Sequence, residues 1–303
     1  MTRSASGCAG TMRPAWPRRR ATWRTPRRPR HLPWRGPDMR TISINGVEIA
    51  YDVHGTGGPW VVFGHSLGCT RAMWQRQIDS LARNCRVLAY DLRGHGQSAT
   101  GDAAAQGSLA QLASDVRSLM DQLTIERAHF VGISIGGMIG QTLAIESPAR
   151  IASLVMANTT AFMPPAAVQL WAQRIEAART HGVASLARPS IERWFPEDFR
   201  VAHPALIEQM IQVFSTTSFR GYEFCSRAIM GLDTREGLAR IRCPVLIIGG
   251  SEDPGAPVGA LDQMQQALAQ SELVLLQGAG HLSNIDRPEE FTAALSKFLL
   301  RCT

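Results

Sequence analysis

Lysine is almost absent from this chain: its 303 residues include 31 arginines and a single lysine, Lys297. Long apolar runs are absent as well. None approaches the roughly 18 residues that a membrane-spanning helix needs, which excludes a helical membrane protein. The six cysteines (Cys8, Cys69, Cys85, Cys225, Cys243 and Cys302) contain no C-x-x-C pair and no metal-ligand spacing with histidine. They read as free thiols in a reducing compartment, which implies a cytoplasmic location. There is no internal repeat, and the N-terminus has no apolar stretch of the kind a secretory signal or a twin-arginine leader requires.

The net charge of +7 resembles a nucleic-acid signal until its distribution is considered. Residues 1–38 hold ten arginines against one acid, Asp38, a balance of +9 that leaves −2 for everything after them. The body of the chain is therefore near neutral, and no nucleic-acid partner is implied. The first 38 residues also carry six of the 17 prolines and show no hydrophobic period, so they are expected to be a disordered extension. Met39 reads as the true start, with the preceding segment mis-annotated or vestigial. The arginine bias fits GC-rich coding DNA.

From residue 39 onward, periodicity alternates between strand and helix. Residues 41–53 place Asn45-Gly46 between alternating apolar positions, which predicts a hairpin. Buried strands are predicted at 60–63, 85–90, 128–131, 151–157, 244–248 and 272–276. Helices are predicted at 70–83, 108–123, 135–146, 258–269 and 288–300. In the second of these, Leu109, Leu112, Val116, Leu119 and Leu123 share one face, with Ser108 and Gln111 as a capping pair. Such alternation predicts an α/β fold with a mostly parallel sheet flanked by helices. Residues 159–235 interrupt it: they lack buried β runs and are rich in helical patterning and aromatics. The expected organisation is a core of 39–158 and 236–303 with a helical cap at 159–235.

Gly132-Ile133-Ser134-Ile135-Gly136 matches G-x-S-x-G between a strand and a helix, where a sharp turn exposes the serine oxygen. A serine hydroxyl needs a base, and the base needs an orienting acid. Asp253 follows the strand at 244–248 and His281 follows the strand at 272–276. Ser134, Asp253 and His281 thus occupy equivalent strand ends, in the order this architecture uses. Glu252 is the rival acid. The oxyanion is expected to meet two backbone N–H groups, from Ile135 and from Leu67 in the loop Gly64-His65-Ser66-Leu67-Gly68, with Ser66 as an alternative. His65 reads as a structural hydrogen-bonder, and Asp91 and Arg93 as braces of the glycine turn 91–96.

With these residues in place, the chain resembles the 3-oxoadipate enol-lactonases within the α/β-hydrolases, over residues 39–300. The general marks are Gly132–Gly136, the run 91–98, Asp253 and His281. The more specific ones are Ser66-Leu67-Gly68, Arg193-Trp194-Phe195, Gly221-Tyr222 with Cys225, and His281-Leu282-Ser283-Asn284. Gly64-His65 before Ser66 departs from the pattern. The resemblance implies hydrolysis of a small carboxylated enol-lactone in bacterial aromatic-acid breakdown, with no cofactor. Ser134 is then the nucleophile, His281 the base and then the acid, and Asp253 the orienting acid. Ser66, Arg193 and Trp194 are candidate substrate contacts, Arg193 for a carboxylate, with an ion pair inside the helical segment as its alternative role. Other uses of the same site remain open: a general esterase or lactonase, a carbon–carbon bond hydrolase, or a small-ligand receptor with slow turnover. The partner is a small molecule in each case, and the oligomeric state is open.

Overall fold

Asn45 and Gly46 take φ of 49° and 75°, the left-handed pair that a two-residue hairpin turn demands. They join β1 (Arg40–Ile44) to β2 (Val47–His54) as an antiparallel pair. The computed structural model describes residues 40–101 and 106–302, all within one unit; the expectations for residues 1–38 lie outside the described residues.

After the hairpin come β3 (Trp60–Gly64), α1 (Gln75–Leu81), β4 (Arg86–Tyr90), α2 (Leu109–Gln122), β5 (Ala128–Ile133), α3 (Ile135–Glu146) and β6 (Ile151–Ala157). The alternation then stops for α4 (Pro165–His181), α5 (Ala184–Trp194), α6 (Glu197–Ala202), α7 (Pro204–Ser215), α8 (Phe219–Met230) and α9 (Arg235–Leu238). It resumes with β7 (Val245–Gly250), α10 (Val258–Ala267), β8 (Ser271–Leu276), α11 (Ser283–Asp286) and α12 (Pro288–Leu299). The predicted helix at 70–83 is divided: a 3-10 turn at Arg71–Trp74 precedes α1.

The strands form one eight-stranded sheet in the order β1-β2-β4-β3-β5-β6-β7-β8, antiparallel at β1/β2 and β2/β4 and parallel from β4 onward. This is the α/β architecture expected from the alternation. β5 and β7 are buried along their whole length, as strands covered on both faces must be. Helices α1 and α12 pack against each other, while α2, α3, α9 and α10 meet in series. In α2, Leu109, Leu112, Val116 and Leu119 are buried, and the Ser108 hydroxyl accepts from the Gln111 N–H at 3.2 Å. β3 lies between β4 and β5, so the chain leaves it one way and returns on the other side. The carboxyl ends of β3 and β5 flank that reversal, where open α/β sheets hold their ligands.

The loop after β4 is braced by ions, in keeping with its sequence. Asp91 accepts from the backbone N–H of Arg71 (2.8 Å) and of Gln97 (3.0 Å), and pairs with the Arg71 guanidinium. Arg93 bonds Asp115 through two nitrogens, each at 2.7 Å. Helix α8 docks on this loop with almost no clearance: a Cβ on Gly221 would lie 2.5 Å from the Gly94 Cα, against backbone that cannot yield. Gly221→Ala is therefore expected to lower stability by about 1–3 kcal/mol, read as a lower urea midpoint at unchanged slope. An unchanged midpoint would show that this contact is slack.

Candidate active site

Ser134 sits at the junction of β5 and α3 with φ 56° and ψ −121°, a conformation few non-glycine residues adopt. Its neighbours make the turn possible. A Cβ on Gly132 would lie 2.1 Å from the Gly136 carbonyl oxygen, and one on Gly136 would lie 2.2 Å from that of Gly64. The adjacent strand tip pins both ends of the serine peptide: Ser134 N–H donates to Ala157 O at 2.9 Å, and Thr159 Oγ1 donates to Ser134 O at 2.9 Å.

The three residues singled out in sequence meet here. His281 Nε2 is 3.0 Å from Ser134 Oγ, and His281 Nδ1 is 2.9 Å from both carboxylate oxygens of Asp253. All three are buried, whereas Glu252, the rival acid, is exposed. Burial alone would push the Asp253 carboxyl up. The His281 charge and hydrogen bonds from His281, Asn158 and the Gly255 N–H outweigh it and hold the carboxyl below the usual carboxylate range. It therefore stays ionised.

Two residues beyond those singled out complete the arrangement. Asn158, at the carboxyl end of β6, donates from Nδ2 to Asp253 Oδ2 and to Gly280 O, each at 3.0 Å, and its Oδ1 accepts from the Ser283 hydroxyl. Asn158 takes φ 46°, which asparagine tolerates better than most residues. A signal for it existed. β6 lies between the strands carrying Ser134 and Asp253, so a polar residue at its tip falls between them. Asp286 is the second: its Oδ2 accepts from the Gly280 N–H at 2.6 Å, one residue before His281.

Leu67 and Ile135 are buried, Ile135 being the residue after Ser134, and neither backbone N–H has an acceptor among the described residues. The loop that carries Leu67 leans on the elbow through the Gly64–Gly136 contact. Ser66 Oγ is buried without a hydrogen-bond partner among the described residues. His65 has both ring nitrogens occupied. Nε2 accepts from the Leu92 N–H at 2.8 Å, so Nδ1 carries the proton and donates to Ser66 O at 2.7 Å. Burial lowers its pKa to about 4, with the Ser66 contact opposing and the Arg71 charge adding to the fall. It is a neutral brace near pH 7, not a second base.

The helical segment reaches the same place. The Trp194 ring lies 5.6 Å from the His281 ring, its carbonyl accepts the His281 N–H at 2.8 Å, and Phe214 packs on Trp194 at 5.7 Å. Phe214 also fills the space over Gly68, where a Cβ would meet its ring at 2.3 Å. Arg193 makes no ion pair among the described residues, so an ion pair inside the segment is not its role. Cys69, Cys85 and Cys225 are buried free thiols, Cys243 and Cys302 half-buried ones; Cys8 is outside the described residues. No group of three or more metal-ligating side chains occurs among the described residues, and no helix there is long and apolar enough to cross a membrane.

A buried Ser–His–Asp relay at the carboxyl edge of such a sheet, with the amide of the residue after the serine free, is the arrangement used by serine hydrolases. Residues 59–288 match the alpha/beta hydrolase fold family, and the chain belongs to that family. It is similar to 3-oxoadipate enol-lactonase 1 of Acinetobacter baylyi, at 38% identity over 86% of this chain and 92% of that one. It is similar also to the crystal structure of the enol-lactonase from Burkholderia xenovorans, with a TM-score of 0.81, 36% identity, and coverage of 86% and 100%. A putative carbamate hydrolase RutD of Agrobacterium fabrum shares 29% over 82% of this chain and 97% of its own. The chain is a hydrolase acting on ester bonds, related to the enol-lactonases.

The setting of Asp286 yields a stability test. Burial pushes its carboxyl up to about 6, only partly offset by the Gly280 N–H and the Arg287 charge. The folded chain therefore keeps this proton up to about pH 6, whereas the unfolded chain releases it near pH 4. Wild type thus loses stability from this group as pH rises through that window. Asp286→Asn keeps an acceptor for Gly280 without the charge, so it should gain on wild type as pH rises from about 4 to about 6 in urea denaturation. A gap that stays constant across that range would contradict the shifted carboxyl.

Proposed function

We propose that the chain hydrolyses a small enol-lactone bearing a free carboxylate, of the 3-oxoadipate enol-lactone type, within bacterial breakdown of aromatic acids. The contact that supports this reading most is His281 Nε2 at 3.0 Å from a strained Ser134, with Asp253 behind it. The substrate comes from the similarity to enol-lactonases.

In this reading Ser134 Oγ attacks the lactone carbonyl as His281 takes the hydroxyl proton. Asp253 holds the ring by Nδ1 and stabilises the imidazolium that forms. The carbonyl oxygen becomes an oxyanion between the Leu67 and Ile135 N–H groups, and the N-terminus of α3 adds its positive end. The C–O bond to the ring breaks, the leaving enolate recovers a proton from His281, and the enol becomes a ketone. That last change makes ring opening hard to reverse. Water then gives a proton to His281, attacks the acyl carbon and releases the acid, and Ser134 regains its proton. The helices α4–α8 serve as the cap over this site, Trp194 as a substrate contact beside His281, Ser66 as a polar contact in the oxyanion loop, and Arg193 as the cation for the carboxylate. The free thiols favour a reducing, cytoplasmic setting.

The similarity to carbamate hydrolases favours a second reading in which the same residues cleave a carbamate. Rates on 3-oxoadipate enol-lactone, a small carbamate and a short p-nitrophenyl ester separate the two. Lactone turnover far above the others is the expected result; carbamate preference would move the assignment. Ser134→Ala should cost about a thousandfold or more in kcat and abolish labelling by a fluorophosphonate. A variant retaining a tenth of the wild-type rate would remove Ser134 as nucleophile.

A further inference from the structure

Thr159 lies just beyond the tip of β6 and is buried. Its hydroxyl donates to Ser134 O at 2.9 Å, and its side chain rests on the first turn of α3. Gly137 makes room for it: a Cβ there would lie 2.7 Å from Thr159 Cγ2. The Met138 N–H also donates to Ser134 O, at 3.1 Å, as the first bond of the helix. Both lone pairs of this carbonyl are therefore taken, one from within the helix and one from outside it. The helix needs only the first, so the second calls for another reason.

Peptide geometry supplies one. The Ser134 carbonyl and the Ile135 N–H belong to a single peptide unit, planar and trans, so the two bonds point in opposite directions. A hydroxyl that fixes the carbonyl therefore fixes the direction of the amide. It also polarises the unit and makes the N–H a stronger donor. The Ile135 N–H has no acceptor among the described residues. The peptide that carries the Leu67 N–H is gripped in the same manner, since Ser66 O accepts from His65 Nδ1 at 2.7 Å and from the Cys69 N–H at 3.1 Å. Gly64 pairs with Gly132 across β3 and β5, so residues 65–67 leave their strand level with residues 133–135. Thr159 is itself held from both sides. The Asn158 N–H donates to Ile248 O at 2.8 Å, and Gln141 Nε2 donates to Thr160 O at 3.0 Å. Three consecutive residues thus reach three parts of the site: Ala157 O takes the Ser134 N–H, Asn158 holds Asp253, and Thr159 holds the Ser134 carbonyl.

We propose that Thr159 is a positioning residue for acyl transfer, which aims the Ile135 N–H at the oxygen that turns negative when Ser134 attacks. It acts through the 134–135 peptide rather than on the substrate. The proposal rests on the reading of Ser134 as nucleophile and of the Ile135 N–H as an oxyanion donor, but on no particular substrate.

The test is Thr159→Val, which keeps the shape of the side chain and removes the donor. Ser134 O retains the Met138 N–H, so no buried acceptor is orphaned. With p-nitrophenyl acetate, kcat and kcat/KM should fall together by about tenfold, part of the cost of losing an oxyanion donor outright, while KM moves less than about threefold. Thr159→Ser keeps the hydroxyl and should recover most of the loss. The discriminating readout is inhibition by trifluoromethyl pentyl ketone beside methyl pentyl ketone. With the first, Ser134 Oγ bonds to the ketone carbon, the C=O π pair moves onto oxygen, and the hydroxyl proton passes to His281, which leaves a tetrahedral alkoxide. The second binds as an unreacted ketone. Ki for the trifluoromethyl ketone should rise about tenfold in Thr159→Val, and Ki for the methyl ketone less than about threefold. Wild-type kcat in Thr159→Val, both ketones weakened alike, or a loss that Thr159→Ser does not recover would overturn the role. If Ser134→Ala keeps its turnover, the nucleophile reading falls and the proposal with it. If Ser134→Ala is inactive and Thr159→Val is unimpaired, the proposal alone falls.

Discussion

The left-handed turn at Ser134 is the constraint on which the remainder of the site depends. Holding a non-glycine residue there costs on the order of 1–3 kcal/mol, and only surroundings that over-determine it can sustain it. Three things do so. Gly132 and Gly136 leave room for backbone to cross at distances no Cβ would survive. The tip of β6 takes the serine N–H, and Thr159 takes its carbonyl. The strain sets Ser134 Oγ toward His281 and leaves the Ile135 N–H without an acceptor among the described residues. A relaxed serine in the first turn of α3 would offer neither.

The second requirement is a buried negative charge that does not neutralise itself. Asp253 is removed from water, which favours its protonated form. Ionisation survives because every oxygen is engaged, by His281, Asn158 and the Gly255 N–H. Asn158 is in turn oriented by Ser283, and the peptide before His281 by Asp286. Hydrogen bonds in such a water-poor place are stronger, and gaps are more costly, than at the surface. Asp286 shows the cost: one of its oxygens is buried without a partner among the described residues, and burial pushes its carboxyl up to about 6.

Legibility in sequence follows the range of the interaction. The strands and helices of the core could be read because their hydrophobic periods are local, and the turn at Asn45-Gly46 because its φ requirement is local. Ser134, Asp253 and His281 could be placed because each sits at the end of a readable strand. Asn158 went unread because its partners are distant in sequence, and Asp286 because its partner, the Gly280 N–H, is a backbone group with no residue signature. The same holds for the Trp194 carbonyl on the His281 N–H. Within the helical segment, α5 continues through Pro189, which local rules would take as a break. Arg193 was legible as a cation without a fixed role.

The contact between α5 and His281 also bears on how substrate preference can change in such a protein. A segment that only covers a site could be rebuilt freely, because the core would keep the chemistry. Here the backbone of Trp194 holds the backbone of His281, and a Cβ on Gly280 would meet the Trp194 carbonyl oxygen at 2.3 Å. Side chains that point from this segment toward the substrate can vary at little cost to the relay. The path of the main chain at the end of α5 cannot, because moving it moves the imidazole whose Nε2 must stay within hydrogen-bond reach of Ser134. Variation is thus confined to side chains, on a backbone whose position the relay itself dictates.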